Sequence, residues 1–169
     1  MKSYFRLIAL SLFLVLISCE NEHKAFKLPL NAQSLIHGDS LKTWKIARRY
    51  NNDVRMNMGP CFLNYRQTFN RNKAVKDNNA ENEDCGPSLE GTWEFKKGPK
   101  GDSYIKISSP DIPKLLNTEK DYKYFKILKL TEDTLKISFK HKQYGNTSRT
   151  ITDILVREDL DIGDRYFHH

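Results

Sequence analysis

Short segments in which apolar residues occupy every second position limit the fold of this chain more than any other feature. Leu135, Ile137 and Phe139 share one phase in the clearest of these segments. A period of two places one face of an extended segment in the core and the other in water. Eight segments have this character, at residues 41–50, 62–69, 73–76, 91–96, 104–107, 122–130, 134–140 and 149–156. We therefore predict an all-β fold whose only helical segments are short, at 32–36 and 112–116.

The connections between these segments are short and rich in turn-forming residues. Residues 98–101, 131–133 and 144–146 each join two neighbouring segments, as antiparallel hairpins do. A run of eight such strands can close into an up-and-down barrel, which leaves no unpaired edge. Alternation alone also allows two packed sheets, so barrel and sandwich both stay open at this point.

The N-terminus has the layout of a secretory signal. Two basic residues precede an apolar run at 7–17, which is shorter than the roughly 20 residues of a membrane-spanning helix. The segment Leu16-Ile17-Ser18-Cys19 resembles the lipobox of bacterial lipoproteins. The resemblance implies that residues 1–18 are removed and that a lipid on Cys19 anchors the protein in the outer membrane. Whether the anchored protein faces the periplasm or the outside stays open.

Length and charge limit the number of domains and the class of partner. We assign 19–40 to the anchor and tether, 41–158 to one barrel domain and 159–169 to a C-terminal tail. The chain has 28 basic and 21 acidic residues, a net charge of +7 that falls to +5 once Lys2 and Arg6 leave with the signal. No stretch combines basic and aromatic residues as nucleic-acid modules do, so we expect no nucleic-acid partner.

One basic cluster lies at residues 96–101. Glycine and proline interrupt it, which predicts a solvated hairpin tip. A contact with anionic lipid headgroups or polysaccharide is the alternative.

Cys61 and Cys85 remain once Cys19 is assigned to the anchor. An even pair in an oxidising compartment predicts a disulfide. The bond would close an Asn- and acid-rich segment that apolar packing cannot hold, and chain entropy gives it roughly 3.5 kcal/mol. A reactive or metal-bound thiol pair is the alternative, but no CxxC spacing or nearby histidine supports it.

The sequence shows no pattern typical of catalysis or metal binding. None of the five histidines belongs to an HExxH motif, and there is no nucleophile elbow or phosphate loop. Residues 77–83 lack the turn glycine and distal glutamate of a calcium loop, and His168 and His169 lie with Asp164 at the terminus. We expect no catalytic residue, no metal site, no cofactor and no enzymatic activity.

Several motifs together resemble those of small lipocalin-like lipoproteins of bacterial envelopes. They are Trp44 in the first strand, Cys61 at the start of the second, Cys85 shortly before 91–93, and the closing pair 124–130 and 135–137. The resemblance spans 41–157. It departs from the family at Lys42, where glycine is usual, and at Asn64, where an acid is frequent.

The resemblance implies an eight-stranded antiparallel barrel with Trp44 packed at one end. In lipocalins a basic side chain from the last strand covers this tryptophan, with both apolar and cation-π character. Arg157 is the candidate for that role here, and Arg149 is the alternative.

Two functions follow, and they depend on whether the barrel is hollow. A hollow barrel would bind a small apolar or amphipathic ligand, with 51–60 and its methionines Met56 and Met58 as a candidate lid. A filled barrel would contact another envelope or surface protein through its loops. We expect a monomer attached to the membrane through Cys19. The candidate interior or ligand-lining residues are Trp44, Ile46, Phe69, Trp93, Phe95, Ile105, Ile107, Leu135, Ile137 and Phe139.

Overall fold

A computed structural model describes residues 25–142 and 147–166 of the chain. The expectations for the signal segment, Cys19, the turn at 144–146 and the two terminal histidines lie outside these residues. The strands are β1 (Leu41–Asn51), β2 (Val54–Arg55), β3 (Arg66–Asn70), β4 (Ala74–Asp77), β5 (Glu90–Lys97), β6 (Ser103–Ser108), β7 (Tyr122–Leu130), β8 (Thr134–Lys142) and β9 (Ser148–Arg157). The helices are α1 (Ala32–His37), α2 (Pro60–Asn64) and α3 (Ile112–Leu116), with a 3-10 turn at Asn79–Glu81.

Eight of these strands close an antiparallel barrel. Each strand from β3 to β8 pairs with the next one along the chain, and β1 pairs with both β3 and β9. The two-residue strand β2 pairs only with the last residues of β1 and is not one of the eight barrel strands. The predicted eight-stranded barrel is confirmed. The sandwich alternative is wrong, because the pairing of β1 with β9 joins the first and last strands.

The predicted strand at 62–69 is wrong in its first half. Pro60–Asn64 form helix α2, and the strand begins only at Arg66. Pro60 occupies the first helical turn, where its missing N–H has no partner to lose. The N–H groups of Phe62 and Leu63 donate to the Gly59 carbonyl oxygen at 3.0 and 3.1 Å. The residue Cys61 therefore lies on a helix and does not open a strand.

One end of the barrel is closed. Helix α1 packs against β1, β3 and β7 there, and the Trp44 indole N–H donates to the Ile36 carbonyl oxygen at 2.9 Å. The N-terminal segment crosses the same end, where the Ser103 hydroxyl donates to the Phe26 carbonyl oxygen at 2.8 Å. This closed end also contains the β3–β4, β5–β6 and β7–β8 turns. The opposite, open end contains α2, α3 and the loop 78–89.

A β-bulge in β1 changes which residues face the interior. The register with β9 shifts between Ile46 and Arg48. Ile46 and Arg49 lie opposite the buried residues Leu155 and Asp153, so consecutive inward positions are three residues apart here instead of two. The bulge thereby turns an arginine into the barrel.

The segment that follows β9 returns along β1. The Arg165 guanidinium donates to the Ile46 carbonyl oxygen at 2.9 Å and to the Leu63 carbonyl oxygen at 2.7 Å. This tail therefore fastens α2 to the bulged strand. In the described part of the chain, no helix has the length and apolar character needed to span a bilayer.

Candidate functional site

A cavity of about 480 Å³ lies in the open half of the barrel. The closed half is filled by the core, in which Trp44, Phe69 and Trp93 are almost completely buried. Helices α2 and α3 and the segment around Cys85 surround the mouth. The barrel is therefore a cup, solid at the closed end and hollow at the open one.

The walls of this cavity are mainly apolar. Ile107, Ile137 and Leu155 are among the apolar residues that line it. The rings of Phe125 and Phe139 pack edge to face beside them, with 5.1 Å between centroids. Walls of this kind remove an apolar ligand from water, which favours binding by roughly 25 cal/mol per Å² buried.

An ion pair crosses the cavity wall between β1 and β9. Arg49 Nε and Nη2 donate to Asp153 Oδ1 and Oδ2, each at 2.6 Å. Both side chains are largely shielded from water, and the Arg49 guanidinium also lies 4.1 Å from the centre of the Phe62 ring. The bidentate geometry satisfies both charges. This pair adds polarity to the cavity but no net charge.

Lys123 brings a second cation into the cavity from β7. Its Nζ lies 4.3 Å from the centre of the Phe139 ring and 5.5 Å from that of Phe125. Burial and, to a smaller extent, the charge of Arg49 lower the pKa of Lys123 to about 8, whereas Asp153 acts in the opposite direction. Lys123 is thus still mainly protonated at neutral pH.

Two further polar groups line the cavity, Tyr65 directly after α2 and Asp77 at the end of β4. Burial, followed by the charges of Asp77 and Asp153, raises the pKa of the Tyr65 phenol, which therefore stays neutral. Asp77 Oδ1 accepts the backbone N–H groups of Asn79 at 3.1 Å and Leu89 at 3.2 Å. Burial raises the pKa of Asp77 and these hydrogen bonds oppose the rise. Through these hydrogen bonds Asp77 stabilises the loop 78–89 at the mouth.

The predicted disulfide between Cys61 and Cys85 is confirmed. It joins helix α2 to the loop that follows β4, and both cysteines line the cavity. The bond therefore fixes two of the segments that shape the mouth relative to each other.

The carboxylate of Asp164 in the tail is engaged with arginines of the barrel. Asp164 pairs with Arg55 at 2.8 Å and lies 3.9 Å from Arg48. Within residues 25–142 and 147–166, no group of three or more His, Cys, Asp or Glu side chains is placed to hold a metal ion.

The cation over Trp44 is Lys42, which corrects the expectation for Arg157. Lys42 Nζ lies 5.3 Å from the centre of the Trp44 ring. Arg157 is in register with Trp44, but its guanidinium reaches Asp133 at 3.1 Å and Asp159 at 2.5 Å. Two carboxylates on the surface hold it more strongly than a ring does. The alternative, Arg149, is exposed near the opposite end of β9.

Lys42 stands at the position where the resemblance noted in the sequence led us to expect glycine. Its Nζ donates to the Leu35 carbonyl oxygen at 3.0 Å, and to the carbonyl and the carboxylate of Glu132 at 3.1 and 2.7 Å. The side chain is 7% exposed. These hydrogen bonds connect α1 to the β7–β8 turn next to Trp44.

The candidate interior residues separate into two groups. Ile107, Ile137 and Phe139 line the cavity at the open end. The other seven do not line it and belong to the core or pack against it: Trp44, Ile46, Phe69, Trp93, Phe95, Ile105 and Leu135. Met58 from the candidate lid is buried in the same core and does not line the cavity, so the structure gives it a packing role.

Sequence reasoning missed the charged residues of the cavity. A signal existed for Lys123, which is in phase with Phe125 and Ile127 on β7. Asp153 gave a similar signal, because it lies between two apolar residues of its own phase on β9. Arg49 gave none, because the bulge that turns it inward leaves no mark in the alternation.

The barrel is similar to known proteins over most of its length. The family described as lipocalin-like domain matches residues 41–137. A solved structure, that of a lipocalin-like protein from Bacteroides uniformis ATCC 8492, aligns with a TM-score of 0.45 and 13% sequence identity, covering 70% of this chain and 98% of that one. The search of curated proteins found no match.

Proposed function

This chain belongs to the lipocalin-like domain family, and we propose that it binds a small apolar or amphipathic molecule in the cavity at the open end. The observation that carries the proposal is the cavity itself, whose volume of about 480 Å³ falls in the range of about 300–1,000 Å³ usual for small-molecule sites. Its apolar walls with a few polar groups match the same class of site.

A binding role fits the polar groups better than a catalytic one. The Arg49 and Asp153 charges satisfy each other, Asp77 accepts backbone N–H groups, and the Tyr65 phenol is held neutral by burial. Groups engaged in this way orient a ligand but do not supply an activated nucleophile or a free general base. Lys123 lies against the faces of Phe125 and Phe139. We propose that it serves binding as well and that the protein is not an enzyme.

The test needs a fluorescent reporter inside the cavity. Trp44 and Trp93 lie in the closed half and do not line the cavity, so their emission would respond weakly to a ligand. In Phe139→Trp the new ring replaces an aromatic wall residue, and in the matched control Tyr124→Trp it lies on the outer face, where Tyr124 is 44% exposed.

The purified protein would be titrated with dodecanol and dodecanoate. We expect a saturable change in emission from Phe139→Trp and none from Tyr124→Trp, together with saturable heat from the unmodified protein in calorimetry. A folded Phe139→Trp protein that gives no saturable signal, with no heat from the unmodified protein, would contradict the proposal.

We further propose that the protein is a monomeric lipoprotein held in the outer membrane by a lipid on Cys19. The support is the sequence: a basic start, a short apolar run and a cysteine placed directly after Ser18. A disulfide between Cys61 and Cys85 is consistent with the oxidising side of the inner membrane.

A further inference from the structure

Lys123 is a half-buried cation without an anionic partner. No hydrogen bond or ion pair engages its Nζ among the residues that the structure describes, and its contacts are the faces of Phe125 and Phe139. A cation shielded from water without an anion is unfavourable, and ring faces compensate only part of the loss. The empty cavity therefore lacks an anion beside the Lys123 ammonium group.

The other charged groups around Lys123 do not neutralise it. From β1 and β9, Arg49 and Asp153 satisfy each other. From β8, His141 faces the same region, and burial followed by the charges of Lys123 and Arg49 lowers its pKa, so it is neutral near pH 7. From β4, Asp77 is bound to backbone N–H groups. Asp84 also lines the cavity, so its positive charges are not in excess overall. Lys123 differs from Arg49 because, among the described residues, no carboxylate pairs with its Nζ.

The position of Lys123 also indicates how a ligand would be oriented in the cavity. It is the second residue of β7, near the open end, and lies opposite Ile107 on β6. The apolar residues Ile137, in the middle of β8, and Leu155, near the end of β9, lie further toward the closed end. A cation near the mouth above an apolar floor suits a molecule with an anionic head and an apolar tail.

We propose that the ligand is an amphipathic monocarboxylate, whose carboxylate pairs with Lys123 Nζ and whose apolar chain runs inward along Ile137 and Leu155. This deepens the proposed function and rests on it. One ammonium group without an anionic partner matches one carboxylate. A phosphate monoester, with close to two negative charges at neutral pH, would leave part of its charge uncompensated in the cavity.

Calorimetry with three probes of equal chain length tests the proposal. Dodecanoate, dodecanol and dodecyl phosphate would be titrated into the purified protein and into Lys123→Met. The matched control is Lys129→Met, which makes the same change at an exposed position of the same strand. We expect dodecanoate to bind the unmodified protein and the control about tenfold to a hundredfold more tightly than dodecanol. In Lys123→Met this preference should vanish while dodecanol still binds.

The pH dependence of dodecanoate affinity is a second measurement. A Lys123 side chain that only packed against its neighbours would not produce it. The other titratable groups that line the cavity or act on Lys123 are Arg49, Asp153, His141, Asp77, Asp84 and Tyr65. The pKa of Lys123, about 8, lies inside the interval between pH 7 and 10. The affinity for dodecanoate should hold up to about pH 8 and then fall, because the pKa of Lys123 is lowered to about 8. The affinity for dodecanol should stay constant over the same interval.

Each outcome decides one of the two proposals. Equal binding of acid and alcohol, tighter binding of dodecyl phosphate than of dodecanoate, or an acid preference that survives in Lys123→Met would overturn the monocarboxylate and leave the binding function standing. If no probe binds the unmodified protein, the binding function fails and this inference fails with it.

Discussion

At the scale of single residues, Lys123 opposes folding. Its ammonium group is partly removed from water and has aromatic rings in place of an anion. We expect Lys123→Met to raise the free energy of unfolding at neutral pH by about 1–3 kcal/mol, because an apolar side chain of similar length suits this wall better. A variant that is more stable and also binds the acid less tightly has lost a functional group, not a structural one.

The pH dependence of this effect has a definite sign. The pKa of Lys123 is about 8 in the folded protein, against an ordinary value of 10.5. Between these values the unfolded chain holds a proton that the folded chain lacks, so this group makes stability rise with pH there. Below about pH 8 both forms are protonated and the full destabilisation is present.

Urea denaturation of the unmodified protein, Lys123→Met and Lys129→Met at about pH 7 and about pH 10 checks the prediction. The advantage of Lys123→Met should be large at the lower pH and shrink at the higher one. A stability gain that is the same at both pH values, or equal in Lys129→Met, would show that the charge of Lys123 is not the cause.

Single residues also show where sequence patterns stop being informative. A charge in the apolar phase of a strand can be recognised, as Lys123 beside Phe125 shows. Arg49 enters the cavity only because of the bulge after Ile46, and that bulge depends on pairing with a strand about a hundred residues away.

At the scale of elements, Gly91 on β5 is a point of close contact. A Cβ atom added there would lie 2.2 Å from the Ser108 carbonyl oxygen, so the backbone of β5 or β6 would have to move. We expect Gly91→Ala to destabilise the protein by about 1–3 kcal/mol and to lower its melting temperature.

The control for this change is Gly163→Ala in the tail, where an added Cβ has nothing within 4 Å. Thermal unfolding followed by circular dichroism would compare the two variants. Equal melting temperatures would mean that β5 and β6 can separate locally without loss of stability.

Elements differ in how well the sequence predicts them. The predicted strand at 122–130 coincides with β7, because alternation and flanking turns agree there. The segment around Phe62 and Leu63 is ambiguous, since adjacent apolar residues fit a helical turn as well as a strand. The disulfide was predictable from the compartment and the even count, but its place on a helix was not.

At the scale of the whole molecule, the barrel was within reach of prediction and the cavity was not. Eight alternating segments with short connections limit the topology to very few folds. The cavity depends on how summed side-chain volumes fill the interior, which the alternation does not contain. Phe139 lines open space and Phe69 is buried in the core, although both show the same period in the sequence.

The proposed attachment to a membrane also concerns the whole molecule. We expect Cys19→Ala to abolish incorporation of a palmitate label and to remove the protein from the outer-membrane fraction. Ser18→Ala is the matched control, since it keeps a small residue before the cysteine and should leave both properties intact. Label retained by Cys19→Ala, or protein still recovered with the outer membrane, would contradict the lipid anchor.

The N-terminal segment reaches the barrel at its closed end, and this determines which way an anchored barrel would point. Ala25 and Leu28 lie against the β5–β6 hairpin there, and the six residues from Cys19 can span at most about 20 Å. A lipid on Cys19 would hold the closed end near the bilayer and aim the mouth away from it. Cargo would then be loaded and unloaded on the aqueous side, in exchange with a carrier or a facing surface and not with the leaflet that holds the protein.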